Sequence, residues 1–290
     1  MKIFRDGLNT GFFDLKDGTY QTNKLSDGRA KTDKMQQLLL MRFEMKSPLL
    51  LVHGLFGSLS APGILAPFTD KSVFTPDLIG YGQYREQDGR EWTLNDQADH
   101  LVSWIRMRAD GPVHLAGHSV GGAVAVLMAK HYPERILSLT LIEGNLTLRD
   151  AFWSQKIASQ SLDEIQTEVD GFREDVTAWI ARAGVKPTRF AIETATDWLD
   201  NQPVATLRAQ ARAVVSATRD ESYLEGLRSI VSSGLPVHLL AGAHSRNEWN
   251  IPGWLEENAT TNQVIPQAGH LMMIEQPEIF ARTVTDNLTG

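Results

Sequence analysis

Ser119 stands between Gly117 and Gly121 in the stretch VHLAGHSVGGAVA, from Val113 to Ala125. A serine hydroxyl is a poor nucleophile until a base takes its proton and fixed donors stabilise the charge that develops on the attacked carbonyl. The G-x-S-x-G pattern alone is weak, since roughly 0.1 matches arise by chance in a chain of this length. Two other segments supply what such a serine lacks. HGLFGS, from His53 to Ser58, offers backbone N–H groups, and AGHLMMIEQP places His270 beside a glycine that lets it turn inward. The expected parts are Ser119 as nucleophile, His270 as base, and the N–H groups of Val120 and Leu55 as oxyanion donors, with Phe56 as fallback for the second. A glycine-rich turn and an ordinary loop histidine are the plain alternatives.

The elements around these residues decide between the two readings. PVHLAG is a buried apolar strand and GGAVAVLMAKH a helix stopped by Pro133, so Ser119 falls on a sharp strand-to-helix turn. Such a turn leaves no room for a side chain on either flanking glycine. The helix that follows presents free N–H groups to a developing anion. SPLLLVHGLFGS and SVFTPDLIGYG are also apolar runs ending in glycine turns, and LSLTLIEGN, LPVHLLAG and NQVIPQAGH follow. Continuous apolar strands alternating with helices predict a parallel sheet covered on both faces. The segment QLLLMRFEM reads as an antiparallel edge strand before them. From Leu146 to about Ser233 the pattern is helical only, giving a core of residues 1–145 and 234–290 interrupted by a helical segment, 146–233.

Composition removes several classes of function. The chain has 290 residues and a formal net charge of −7, which argues against binding nucleic acid or anionic lipid. It has no cysteine, so thiolate chemistry, disulfides and cysteine-bound metals are excluded, in keeping with a cytoplasmic setting. No secretory signal is read at MKIFRDGLNTGFF, no run is long enough to span a membrane, and the triplets at Asn145, Asn258 and Asn287 carry no weight as glycosylation sites. His114 and His118 have the i, i+4 spacing of a zinc pair, but one lies in a strand and the other in a turn, so no metal is expected. GHSVGG fits no phosphate-binding pattern. His131 and His238 read as structural.

The combination of HGLFGS, TPDLIGYG, GHSVGG and AGHLMMIEQP, in this order, resembles the α/β-hydrolase superfamily from about Leu49 to the C-terminal end. The resemblance implies an α/β fold with a mostly parallel eight-stranded sheet, helices on both faces, a helical cap inserted over the site, no cofactor, and the chain order nucleophile, acid, histidine. It also exposes a departure. In most relatives an aspartate follows the seventh strand, and here that position is Ser245 in AGAHSRNEW. Two carboxylates are candidates to replace it. Glu143 ends the strand LTLIEGN, where some relatives such as haloalkane dehalogenases place their acid, and where only a paired charge is tolerable. Glu248 lies further along the loop after the seventh strand. A weak or absent acid is the third reading. Ser119 itself disfavours dehalogenase and epoxide-hydrolase chemistry, which uses an aspartate nucleophile in this superfamily.

The expected function is hydrolysis of an ester, thioester or lactone-type bond in a small, moderately apolar substrate, through an acyl-enzyme on Ser119. An acyltransferase and a C–C bond hydrolase share the same residues, and a non-catalytic binding module on this fold is the alternative of another class. Phe152, Trp153, Phe172, Trp179, Phe190 and Trp198 in the helical segment read first as core, with some free to roof a pocket. Arg208 and Arg212 read as a solvated helix face, or as a site for an acidic group. The oligomeric state is not legible.

Overall fold

The computed structural model describes residues 47–69, 71–87 and 91–288, and the backbone of three short strands nearer the N-terminus. The chain divides into two units, Met1–Met45 and Lys46–Gly290. In the first, β1 (Lys2–Asp6), β2 (Asn9–Phe13) and β3 (Tyr20–Thr22) form an antiparallel sheet in that order. The expected edge strand QLLLMRFEM falls outside the described residues.

In the second unit, β4 (Leu49–Val52), β5 (Val73–Phe74), β6 (Val113–His118), β7 (Ile136–Ile142), β8 (Val237–Gly242) and β9 (Thr261–Ile265) form one sheet in the order β5-β4-β6-β7-β8-β9. Every neighbouring pair is parallel. Of the eight-stranded sheet expected, six strands are found among the described residues. SVFTPDLIGYG contributes only the two residues of β5, since Pro76 has no N–H to continue the ladder.

Alternate residues of the strands enter two different cores. Leu50, Val52, Leu115, Leu139, Leu141 and Leu239 pack on one side, against α2 (Leu94–Arg106) and α3 (Val120–His131). Leu49, Leu51, Ala116, Ile142 and Leu240 pack on the other, against α1 (Pro62–Leu65) and later helices. Both faces are thus buried, which is why the strands are apolar without alternation. Six helices lie between β7 and β8: α4 (Phe152–Ser159), α5 (Leu162–Glu174), α6 (Val176–Arg182), α7 (Arg189–Asp200), α8 (Val204–Arg219) and α9 (Glu221–Ser232). After β8 come α10 (Gly253–Asn258), then β9, α11 (Met272–Glu275) and α12 (Pro277–Asp286). Side-chain caps from Thr93, Ser161, Asp175, Thr188 and Asp220 open α2, α5, α6, α7 and α9. Among the described residues, no helix is long and apolar enough to cross a membrane.

This strand order has one switch point. The chain leaves β4 toward β5 at one edge, then returns past β4 to β6 on its other side. At such a point the loops leaving two neighbouring strands diverge and open a crevice at the carboxyl edge of the sheet. The loops in question are HGLFGS and the turn carrying Ser119.

Candidate active site

Ser119 follows β6 directly and adopts φ 54° and ψ −121°, a region that non-glycine residues rarely occupy. Such a backbone costs on the order of 1–3 kcal/mol and persists only when its surroundings over-determine it. Here the Ser119 N–H donates to the Ile142 carbonyl, while the Ser119 carbonyl accepts from Gly122 and Asn145. The neighbouring glycines are required by space. A Cβ on Gly117 would lie 2.3 Å from the Gly121 carbonyl oxygen, and one on Gly121 would lie 2.4 Å from those of Val52 and His53. Gly122 meets the Gly144 backbone in the same way, an approach that links the turn to the segment carrying Glu143. The hydroxyl-bearing residue remains half-buried.

Val120 is the first residue of α3, and an N–H at that position has no intrahelical acceptor. Gly54 packs so close to the turn that a Cβ there would sit 3.1 Å from the Ser119 Cβ, and Leu55 and Phe56 follow it directly in the chain. Their loop is tied down from outside. Tyr81 donates its hydroxyl to the Leu55 carbonyl at 2.8 Å, and Leu78 donates its N–H to His53 Nε2 at 3.2 Å. His53 therefore carries its proton on Nδ1 and gives it to the Gly54 carbonyl at 2.9 Å. Burial lowers its pKa and keeps the ring neutral.

Glu143 and His270 meet. His270 Nδ1 lies 2.7 Å from Glu143 Oε2, across 127 residues of sequence. A carboxylate accepts, so Nδ1 bears the proton and the Nε2 lone pair is left for another donor. The Glu143 side chain is 4% exposed while that of His270 is 43% exposed. Burial pushes the Glu143 carboxyl up, but the bonds from His270, Ser245 and Gly242 outweigh it and hold the group below its ordinary range. Glu143 also has positive φ, at 41°. Glu248, the alternative acid, is exposed, and its N–H donates to the Ser245 carbonyl.

Several contributors were given no role by the sequence. Ser245, at the position where the resemblance expected an aspartate, donates its hydroxyl to Glu143 Oε1 at 2.6 Å, and the Gly242 N–H reaches the same oxygen at 2.8 Å. A Cβ on Gly242 would lie 2.3 Å from the Gly269 carbonyl oxygen, so only glycine lets the turn carrying His270 approach β8. Glu275 accepts the Gly269 N–H at 2.9 Å and fixes the same turn from α11. Hydroxyl, glycine and carboxylate at such distant positions form no local pattern; only the offset after the seventh strand singles out Ser245.

The aromatic residues divide. Phe152 is exposed, and Trp198 packs on Gly57 and donates to the Ser58 carbonyl. Phe190 packs over Gly63. Phe56 makes edge contacts with Trp153, Phe172 and Trp179, whose centroids lie 5.7–6.5 Å from its own. Phe172 and Trp179 stack on each other. Arg212 pairs with Glu91 on the surface, consistent with a solvated face. Among the described residues, no group of three or more His, Asp or Glu side chains is arranged to hold a metal.

Comparison with known proteins bears on this geometry. The model of the alpha/beta hydrolase family matches residues 49–283. Lipase LipV of Mycobacterium tuberculosis is 34% identical over 76 residues, 26% of this chain and 28% of the lipase, so this chain aligns with little more than a quarter of that relative. A 2-hydroxymuconate semialdehyde hydrolase of Pseudomonas is 26% identical over 278 residues, covering 83% of this chain and 86% of its own. An esterase structure from Thermogutta terrifontis superposes with a TM-score of 0.59 at 22% identity, over 83% of this chain and 89% of the esterase, a likeness of fold alone.

Proposed function

The chain belongs to the alpha/beta hydrolase family, and from that premise we propose that it is a serine hydrolase working through Ser119, His270 and Glu143. Ser119 Oγ attacks the substrate carbonyl while its proton passes to His270 Nε2. The N–H groups of Val120 and Leu55, or Phe56 in place of Leu55, hold the oxyanion. The imidazolium returns the proton to the leaving group, the C–X bond breaks, and an acyl-enzyme remains. Water repeats the sequence and releases the acid. Glu143 stays ionised throughout and stabilises the imidazolium. The observation that carries this reading is the 2.7 Å bond from His270 Nδ1 to Glu143, which fixes the tautomer a general base needs.

The six helices of residues 146–233 serve as the cap. Phe56, Trp153 and Trp179 are half-buried, so they retain open surface beside the oxyanion loop. This supports an apolar acyl or alcohol group in a carboxylic ester, thioester or lactone. The 43% exposure of the His270 side chain supports entry of water as the second nucleophile.

A fluorophosphonate probe tests the reading directly. Ser119 in the folded protein is expected to form the adduct, and H270A to lose it. On a p-nitrophenyl ester, E143Q is expected to lower kcat by about 10³- to 10⁴-fold, while E248Q stays near wild type. An unlabelled Ser119 overturns the assignment, and normal turnover in E143Q removes Glu143 from it.

One observation favours a second reading. One curated relative that this chain matches over most of both lengths is a 2-hydroxymuconate semialdehyde hydrolase. The same residues can cleave a C–C bond next to a ketone once the carbon leaving group is made able to accept a proton. Turnover of a vinylogous diketone well above that of p-nitrophenyl esters would favour it.

A further inference from the structure

We infer that His118, the residue immediately before the nucleophile, is a positioning residue that holds the backbone of His270 against the turn carrying Ser119. The inference rests on the serine-hydrolase reading above. His118 is 6% exposed, and its Nε2 lies 2.9 Å from the His270 carbonyl oxygen, across 152 residues of sequence. A carbonyl can only accept, so the proton sits on Nε2 and the bond runs from His118 to His270. The two rings also touch, with centroids 4.5 Å apart and planes tilted by 42°.

The turn of His270 therefore has anchors at both ends of the residue. Glu143 grips the ring through Nδ1, and His118 grips the main chain through the carbonyl. Glu143 alone would fix one atom of a side chain that is 43% exposed, leaving the ring free to swing about that bond. With both, the Nε2 lone pair has one direction, set by the same residue that precedes the serine. Gly54 completes the arrangement. A Cβ there would stand 3.2 Å from His118 Nδ1, so glycine leaves the ring its place.

His118 is unsuited to act as the base itself. Its Nε2 proton is committed to a backbone carbonyl. Burial, with His270 and His53 nearby, lowers its pKa well below the usual histidine value, so it stays neutral beside an imidazolium that forms in each turnover. A neutral donor steadies the loop without repelling that charge.

Glutamine and methionine have the same reach, but only glutamine carries an N–H near the position of Nε2, so H118Q and H118M isolate the hydrogen bond. In H118M, kcat and the rate of fluorophosphonate labelling are expected to fall about tenfold or more with little change in KM, as for a misplaced catalytic group. H118Q is expected to recover most of that loss. Equal impairment of the two variants, or a change confined to KM, would overturn the proposal. Thermal melts of both show whether either is unfolded. If one is, the wild-type protein decides: nitrogen NMR of labelled histidine must find the His118 proton on Nε2, and a proton on Nδ1 rules the bond out. A wild-type Ser119 that fails to label sinks the hydrolase reading, while the NMR result still stands or falls for the bond itself.

Discussion

Glu143 accepts three hydrogen bonds, and the Ser245 hydroxyl supplies the shortest, 2.6 Å to Oε1. Each donor favours the ionised carboxyl over the protonated one, and together they overcome the burial that opposes it. Ser245→Ala should remove one donor and let the carboxyl rise toward its ordinary value. Because the proposed role of Glu143 requires the ionised form, kcat should then fall more at pH 5 than at pH 8. A pH–rate profile of the variant that merely scales the wild-type curve would remove Ser245 from the support of Glu143. The same residues mark how far the sequence was legible. Ser119 and His270 stand out as candidates because glycines and strand ends flank them, and Glu143 because a carboxylate ending an apolar strand needs a partner, which His270 supplies. Ser245, Gly242 and Glu275 make contacts with groups whose identity the local sequence does not contain, and it took the structure to show that Glu143 is the carboxylate bonded to His270 while Glu248 is exposed.

At the scale of elements, the strands that carry the site were legible where burial is complete on both faces. β4, β6 and β8 are buried at every residue, which their largely apolar runs anticipate. The edges were not. β5 shrinks to two residues before Pro76, and the strand count of the resemblance gave eight where six are described. The helical segment between β7 and β8 was visible as a loss of strand pattern, but its attachment was not. That attachment is polar: Gln210 of α8 accepts from Trp92 Nε1 at 2.7 Å and from Gln97 Nε2 at 2.8 Å, and Gln97 in turn bonds both backbone groups of Ile79. All three side chains are buried. Gln210→Leu keeps the volume but strands the buried Trp92 N–H, worth about 1–3 kcal/mol when left unpaired, while Gln97 Nε2 keeps its bond to the Ile79 carbonyl. Urea unfolding should therefore show a loss of about 1–3 kcal/mol, and a loss below about 0.5 kcal/mol would mean the bonds do not hold the helix to the core.

The molecule as a whole carries several buried histidines that are neutral in the fold. His114 and His238 are 4% and 1% exposed, on neighbouring parts of the sheet. Their Nδ1 atoms bond Ser138 and Thr261, while the buried Nε2 atoms have no hydrogen-bond partner among the described residues. Burial brings each pKa down from 6.5 to about 4, and for His114 the nearby Lys71 and His238 add to the fall. The unfolded chain thus binds protons that the folded one refuses between those two values. Stability from this source is complete above about pH 6.5 and is lost as pH falls toward 4, at about 2 kcal/mol per histidine by pH 5. Replacing both with asparagine keeps a short polar group near each Nδ1 position and removes the titration. Urea unfolding at pH 7.5 and pH 5 should then show a drop in the wild-type protein about 4 kcal/mol larger than in His114→Asn/His238→Asn. These groups lie in the sheet away from the Glu143–His270 pair, so the acid loss of folding should leave the labelling rate of the protein still folded at pH 5 to be set by the site alone. An equal drop in both proteins would place the acid sensitivity elsewhere in the fold.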